Sequence, residues 1–285
     1  MAKILNSRIF LVGGLGFVGM PILRLLLERG HFVRLLVRSV DSRCQALLNE
    51  YSTAIEFVEG NCNSMSVAEY TGAMSGCDGV LYCAWYTNPF DYLSSTENLT
   101  YLAGALQCVQ ALENSAVSHF AALGTCLEYD LGDWYVDAQS KEIPQTLYGV
   151  TKLSLKNIIA RVCASLETSF AWYRLFHLYG DGEKAGRLYS SVMHSITANK
   201  PLTLTSGEQI RDYTEIKLVA SMIVHAFENR VEGVVNIGSG KGVSVKDFVS
   251  ELALKHDKLH LMHFGERLDR PDDPHIIVAS DAYKP

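Results

Sequence analysis

The residues best able to do chemistry are Tyr148 and Lys152, in the stretch "PQTLYGVTKLSL" (144–155). At i and i+4 on a helix the two side chains share a face. A free phenol has a pKa of about 10 and keeps its proton at neutral pH. A neighbouring cation favours the phenolate and loosens that proton, so the pair is a candidate proton donor and acceptor. Taken alone, the same spacing also suits an aromatic helix entry followed by a solvated lysine.

A second constellation lies near the start. "LVGGLGFVG" (11–19) contains Gly14-x-Gly16-x-x-Gly19 and the overlapping Gly13-x-x-Gly16-x-x-Gly19. Between a buried strand and a helix, such glycines allow a tight turn and a close approach of backbone to a pyrophosphate. The helix N-terminus then supplies N–H donors. The pattern points to a dinucleotide. An NAD site would offer an acidic residue roughly 20 positions later, but "LLVRSVDS" offers Arg38 and Ser39. Arginine suits a 2′-phosphate through charge-assisted hydrogen bonds. NADP(H) is therefore the expected cofactor and NAD(H) the alternative; an arginine in solvent at a strand end is the plainer reading.

These groups need a frame to hold them. "RIFLVG" (8–13), "FVRLLVR" (32–38), "AIEFVEG" (54–60), "GVLYCAW" (79–85) and "HFAALGT" (119–125) read as buried strands. Helical segments alternate with them. "PILRLLLERG" closes on a glycine suited to the position after the last turn, and "STENLTYLAGALQCVQALENS" has a Ser/Thr start. The alternation predicts an α/β fold, a doubly wound parallel sheet of Rossmann type covered on both faces. Beyond residue 176 the pattern changes to a smaller C-terminal α+β portion. The expected division is a dinucleotide-binding domain over 1–175 and a mainly substrate-binding domain over 176–285, with segments near 211–240 returning to the first.

The composition is that of a globular chain, with 285 residues and a formal net charge of −6. That charge argues against a nucleic-acid or anionic-membrane partner. Seven cysteines without a C-x-x-C pair suggest reduced, buried thiols and a cytoplasmic protein. The lead "MAKILNSRIFLVGGLGFVGMPIL" is too rich in glycine for a signal peptide, and no apolar run is long enough for a bilayer. His256, His260 and His263 have metal-like spacing, but the run passes from a helix into a strand and loses a shared face, so no metal site is expected.

With the glycine loop and Tyr148-x-x-x-Lys152, the chain resembles the extended short-chain dehydrogenase/reductase superfamily. More narrowly, it is similar to the NAD(P)-dependent epimerase/dehydratase family acting on nucleotide sugars. "ALGTCLEYD", "RLFHLYGDGE", "IRDYTEI" and "RLDRPDDP" match family segments in order, and the resemblance covers nearly the whole chain.

The resemblance implies that Thr125, Tyr148 and Lys152 form the catalytic group, with Lys152 also holding the nicotinamide ribose. It implies cofactor contacts at Gly13, Gly14, Gly16, Phe17, Val18, Gly19, Arg38, Ser39, Asn61, Cys62 and Ala84. Asn61 stands where an aspartate is common. Thr125, His177, Arg211 and Arg270 would contact the nucleotide-sugar substrate, the arginines at its diphosphate. Family dehydratases follow the threonine with Asp-Glu; here Cys126-Leu127 stand there, which argues against dehydration. Cys126 has no visible histidine to activate it as a nucleophile.

The C-terminal half is similar to paratose- and abequose-synthase-type reductases. The expected reaction is NADPH-dependent reduction of a nucleotide-linked 4-keto-6-deoxy sugar. A C4 epimerase is the runner-up, and a non-catalytic NADP(H)-sensing protein the reading from another class. Relatives commonly form a homodimer through the helix starting near Glu97 and the one carrying Tyr148. They also continue past "ASDAYKP" with another helix, so a short or truncated C-terminus is expected.

Overall fold

The computed structural model describes residues 6–132, 135–271 and 273–285. Residues 1–5, which begin the charged lead of the chain, lie outside the described residues. Six strands come first: β1 (Arg8–Val12), β2 (Phe32–Val37), β3 (Ile55–Glu59), β4 (Gly79–Tyr82), β5 (His119–Thr125) and β6 (Ser169–Leu175). Between them run α1 (Gly19–Glu28), α2 (Ser42–Tyr51), α3 (Val67–Met74), α4 (Glu97–Gln110) and α5 (Leu147–Ser165). The chain continues through β7 (His177–Tyr179), α6 (Leu188–Ala198), β8 (Leu202–Thr203), β9 (Ile210–Glu215), α7 (Ile216–Glu228) and β10 (Gly233–Ile237). It closes with β11 (Gly242–Ser244), α8 (Val245–Leu254), β12 (Met262–His263) and β13 (Ile276–Ile277).

A seven-stranded sheet runs in the order β10-β6-β5-β4-β1-β2-β3, and each neighbouring pair is parallel. This is a Rossmann-like α/β sheet. Its inner strands are mainly apolar because both faces are covered, while edge strand β3 exposes Glu56 and Glu59. Ile9 and Leu11 of β1 face α1 and α7 through Ile22, Leu23, Val219 and Ile223. Phe10 and Val12 face α3, α4 and α5 through Tyr70, Cys108, Leu155 and Ile159. The alternation is that of a pleated strand, and each fully buried aliphatic side chain contributes roughly 1.5–3 kcal/mol.

Helix ends use local chemistry. Asp41 caps α2, accepting from the Arg43 and Cys44 N–H groups. Ser66 and Glu69 form a reciprocal capping box on α3. At α4 the adjacent Thr96 makes no side-chain cap; Ser95 Oγ instead accepts from the Glu97 N–H at 3.3 Å. Gly30, with φ +82°, follows the end of α1 as the sequence suggests. The short strands beyond β6 pair with one another as β11-β9-β13, with β7 also on β9, and as β12-β8. A separate apolar cluster of Val192, Phe248, Val249 and Met262 joins α6, α8 and β12. β10, read from "VVNIGSG", returns to the main sheet beside β6.

Candidate active site

A doubly wound sheet gathers its functional groups at the carboxyl ends of its strands, at the point where strand order reverses. Here that point lies between β1 and β4. Gly13 follows β1 with φ +87°, and a Cβ on it would stand 2.7 Å from the Ala84 nitrogen just beyond β4. Gly19 is equally constrained, because a Cβ there would collide with the Gly13 carbonyl. A Cβ on Gly16 would meet only the Gly13 oxygen, at 3.4 Å. Val18 offers no side-chain cap to α1. The first N–H groups of that helix thus have no side-chain cap, as pyrophosphate binding requires. The chain fits a dinucleotide held at Gly13, Gly14, Gly16, Phe17, Val18 and Gly19.

The neighbouring strand ends carry the other expected contacts. Arg38 and Ser39 follow β2 and are exposed. Asn61 and Cys62 follow β3. The Asn61 side-chain oxygen accepts from the Asn63 N–H at 3.1 Å, and the Cys62 carbonyl accepts from the Tyr70 hydroxyl at 3.0 Å. Burial pushes the Cys62 thiol up, with the Arg38 charge opposing. Gly104 of α4 is small because a side chain there would collide with the Cys62 carbonyl.

Thr125 ends β5 and opens a single 3₁₀ turn. Its hydroxyl accepts from the Leu127 N–H at 3.3 Å, while the Glu128 carboxylate accepts from the Thr125 N–H at 2.8 Å. Thr146 starts α5 by accepting from the Gly149 N–H at 3.1 Å. This places Tyr148 in the first turn, where its own N–H donates to the Leu93 carbonyl at 3.1 Å. The phenol is buried against the Tyr92 ring, 5.2 Å away and edge-on. Burial pushes Tyr148 above the usual phenol range, helped by Tyr92 and Glu128, and a hydrogen bond with Thr125 opposes the rise.

Lys152 lies one turn further along α5 and is also buried. Its Nζ donates to the Leu123 carbonyl at 2.5 Å and sits 4.1 Å from the centre of the Trp85 ring. Burial lowers its pKa to about 8, with Glu128 and Cys83 opposing. Tyr148 and Lys152 do share one helix side, but the ammonium is turned toward β5.

The expected substrate contacts are spread along the same edge. His177 opens β7, 5.9 Å from the Tyr213 ring, and its Nδ1 has no hydrogen-bond partner among the described residues. Burial, with the charges of Arg211 and Arg187, lowers its pKa to about 3. The Arg211 guanidinium is committed to Asp273 at 2.7 Å and to the carbonyls of Ile210 and His275. Arg270 is exposed. Burial raises the Cys126 thiol to about 12, against the role of a nucleophile. His256, His260 and His263 fall after α8, in a 3₁₀ turn and in β12, and His263 contacts Glu266.

Sequence reasoning missed Trp85, Tyr92 and Asn98. Asn98 is fully buried at the start of α4; it accepts from Trp85 Nε1 at 2.8 Å and donates to the Tyr92 and Ser95 carbonyls. The available signal was a polar residue on the helix face whose other buried positions are Gly104, Ala105, Cys108 and Val109.

Residues 9–238 match the family model described as NAD dependent epimerase/dehydratase family. The chain belongs to this family. A dTDP-6-deoxy-L-talose 4-dehydrogenase (NAD(+)) of Aggregatibacter actinomycetemcomitans is 20% identical over 251 residues, covering 87% of this chain and 90% of the relative. A UDP-N-acetylglucosamine 4-epimerase from Methanobrevibacter ruminantium, solved with UDP-N-acetylmuramic acid, superposes with a TM-score of 0.85. It is 16% identical, covering 99% of this chain and 94% of that one. The dTDP-glucose 4,6-dehydratase DesIV from Streptomyces venezuelae, solved with NAD, superposes with a TM-score of 0.82 at 16% identity, covering 98% and 92%. This family member shares the Rossmann-like fold of both.

Proposed function

We propose that this epimerase/dehydratase family enzyme reduces, with NADPH, the C4 carbonyl of a nucleotide-linked 4-keto-6-deoxy sugar. The observation that carries the reading is the convergence of Thr125, Tyr148 and Lys152 beside the glycine loop, at the carboxyl ends of β1, β4 and β5. The talose 4-dehydrogenase supports it, since its name places dehydrogenation at C4 of a dTDP-linked 6-deoxy sugar. Exposed Arg38 supports NADP(H) over NAD(H), because its charge is free to meet a 2′-phosphate.

When bound, the nicotinamide supplies the hydride. The chain's own part is proton transfer and orientation. Tyr148, kept protonated by burial, donates its proton to the oxygen that becomes the C4 hydroxyl. The Thr125 hydroxyl, at the end of β5, donates to the same oxygen and fixes its direction. The Lys152 cation favours the phenolate left behind. His177, Arg211 and Arg270 form the substrate side, and residues 176–285 mainly serve that role. Exposed apolar Leu99, Val150 and Ile158 on α4 and α5 fit a homodimer through those helices.

A C4 epimerase is the second reading, favoured by the likeness to the UDP-N-acetylglucosamine 4-epimerase. A non-catalytic NADP(H) sensor is disfavoured because all three catalytic side chains are present. The test is NADPH consumption with a panel of dTDP-, CDP-, GDP- and UDP-linked 4-keto-6-deoxy sugars. Turnover on one of them, lost in Tyr148→Phe, is expected. Isomerisation of ordinary nucleotide hexoses without net cofactor use would replace the reductase by the epimerase.

A further inference from the structure

Lys152 is enclosed in an unusual way. Its Nζ lies 4.1 Å from the Trp85 ring centre and 5.6 Å from that of Trp172, while one N–H donates to the Leu123 carbonyl. Each indole is itself pinned. Trp85 Nε1 donates to fully buried Asn98 at 2.8 Å, and Trp172 Nε1 donates to fully buried Glu128 at 2.9 Å. A lysine ammonium has three N–H groups. With one spent on a carbonyl and two flanks taken by indole faces, the directions left for a ligand hydroxyl or the Tyr148 phenolate are few. A desolvated cation is held over an indole face by the ring's electron density, which fixes the four-carbon side chain in one geometry.

We propose that Trp85 is a positioning residue: anchored by Asn98, it holds the Lys152 ammonium against the Leu123 carbonyl and so sets the direction in which that cation acts. Trp172 forms the opposite wall. The segment that leaves Trp85 also carries Tyr92 onto the Tyr148 ring, and Asn98 donates to the Tyr92 carbonyl at 2.7 Å. One buried amide therefore braces the cover of both members of the catalytic pair. The inference rests on the proposed proton-transfer role of Tyr148 and Lys152.

The test has two arms. In the ligand-free protein, indole emission is followed through the titration of Lys152. The ionisable groups acting on that ammonium are Glu128 in the 3₁₀ turn and Cys83 beyond β4. Emission is expected to change as Lys152 loses its proton, and that change should vanish in Lys152→Gln and shrink severalfold in Trp85→Phe. In the second arm, kcat should fall about tenfold in Trp85→Leu with KM little changed, and Trp85→Phe, which keeps an aromatic face, should recover most of the loss. Circular dichroism verifies that each variant is folded. Wild-type kcat in folded Trp85→Leu, or an emission titration unaltered in Lys152→Gln, would overturn the proposal. Failure of the wild-type protein to turn over any nucleotide sugar would count against the proposed reaction instead, and the emission arm would still decide whether Trp85 holds the cation.

Discussion

The Glu128 carboxylate meets the Arg174 guanidinium at 2.7 Å with both side chains fully buried. Glu128 also accepts from the Thr125 N–H and from Trp172 Nε1. Arg174 reaches on to Glu142, which pairs with Lys156, one turn beyond Lys152 on α5. The network thus ties the end of β5 to the helix that carries Tyr148. Removing Glu128 takes the buried partner from Arg174, which keeps only Glu142, and leaves the Thr125 N–H and Trp172 Nε1 without their acceptor, a loss of about 3–5 kcal/mol. Glu128→Ala should lower unfolding stability by that amount in urea titration. A loss within error of zero would mean that the network does not hold the site.

Tyr148→Phe keeps the ring against Tyr92 and removes only the hydroxyl. Turnover should fall by about 10²–10⁴-fold, the range for a positioned proton donor, while NADPH binding by calorimetry stays near wild type. Full turnover would remove Tyr148 from the proton path.

The pH dependence follows from Lys152. Its pKa is lowered to about 8, so the side chain is charged below that pH and neutral above it. Tyr148, raised by burial, still holds its proton there. The kcat/KM for reduction reports the free enzyme; it should be level below pH 8 and fall above it. In Lys152→Arg, whose cation persists, whatever activity remains should lose that alkaline fall. A level wild-type profile well past pH 8 would detach Lys152 from the reaction.

Arg38 should set cofactor choice. A hydrogen bond to a charged group contributes about 1.5–3 kcal/mol, so Arg38→Ala should reduce the NADPH-over-NADH preference by about 10- to 100-fold. Steady-state kinetics with both cofactors measures it, and an unchanged ratio would place the discrimination elsewhere.

At the opposite end of β5, buried His119 bonds to Ser169 Oγ at 2.9 Å, and burial lowers its pKa from 6.5 to about 4. Between those values the unfolded chain binds a proton that the folded chain does not, so stability falls as pH drops through that window. His119→Gln should flatten this acid limb in thermal unfolding. Identical slopes in both proteins would rule His119 out as its cause.

The sequence made the sheet legible because each strand is an apolar run punctuated by turn residues, from "RIFLVG" through "HFAALGT". The glycine loop could be read because Gly13 and Gly19 answer to backbone contacts that forbid a Cβ. Trp85 and Asn98 could not, since their contact crosses from the loop after β4 to the start of α4. The pairing of Arg211 with Asp273 could not be read either, since the two lie 62 residues apart, beyond any local pattern.

Deuterium transfer is the measurement to make first. The protein would be incubated with each diastereomer of C4-deuterated NADPH and a panel of nucleotide-linked 4-keto-6-deoxy sugars, and the sugars weighed by mass spectrometry. One diastereomer should deliver stoichiometric deuterium to a single reduced sugar. A nucleotide hexose isomerised with no label acquired and no NADPH consumed would contradict net reduction and make the protein an epimerase.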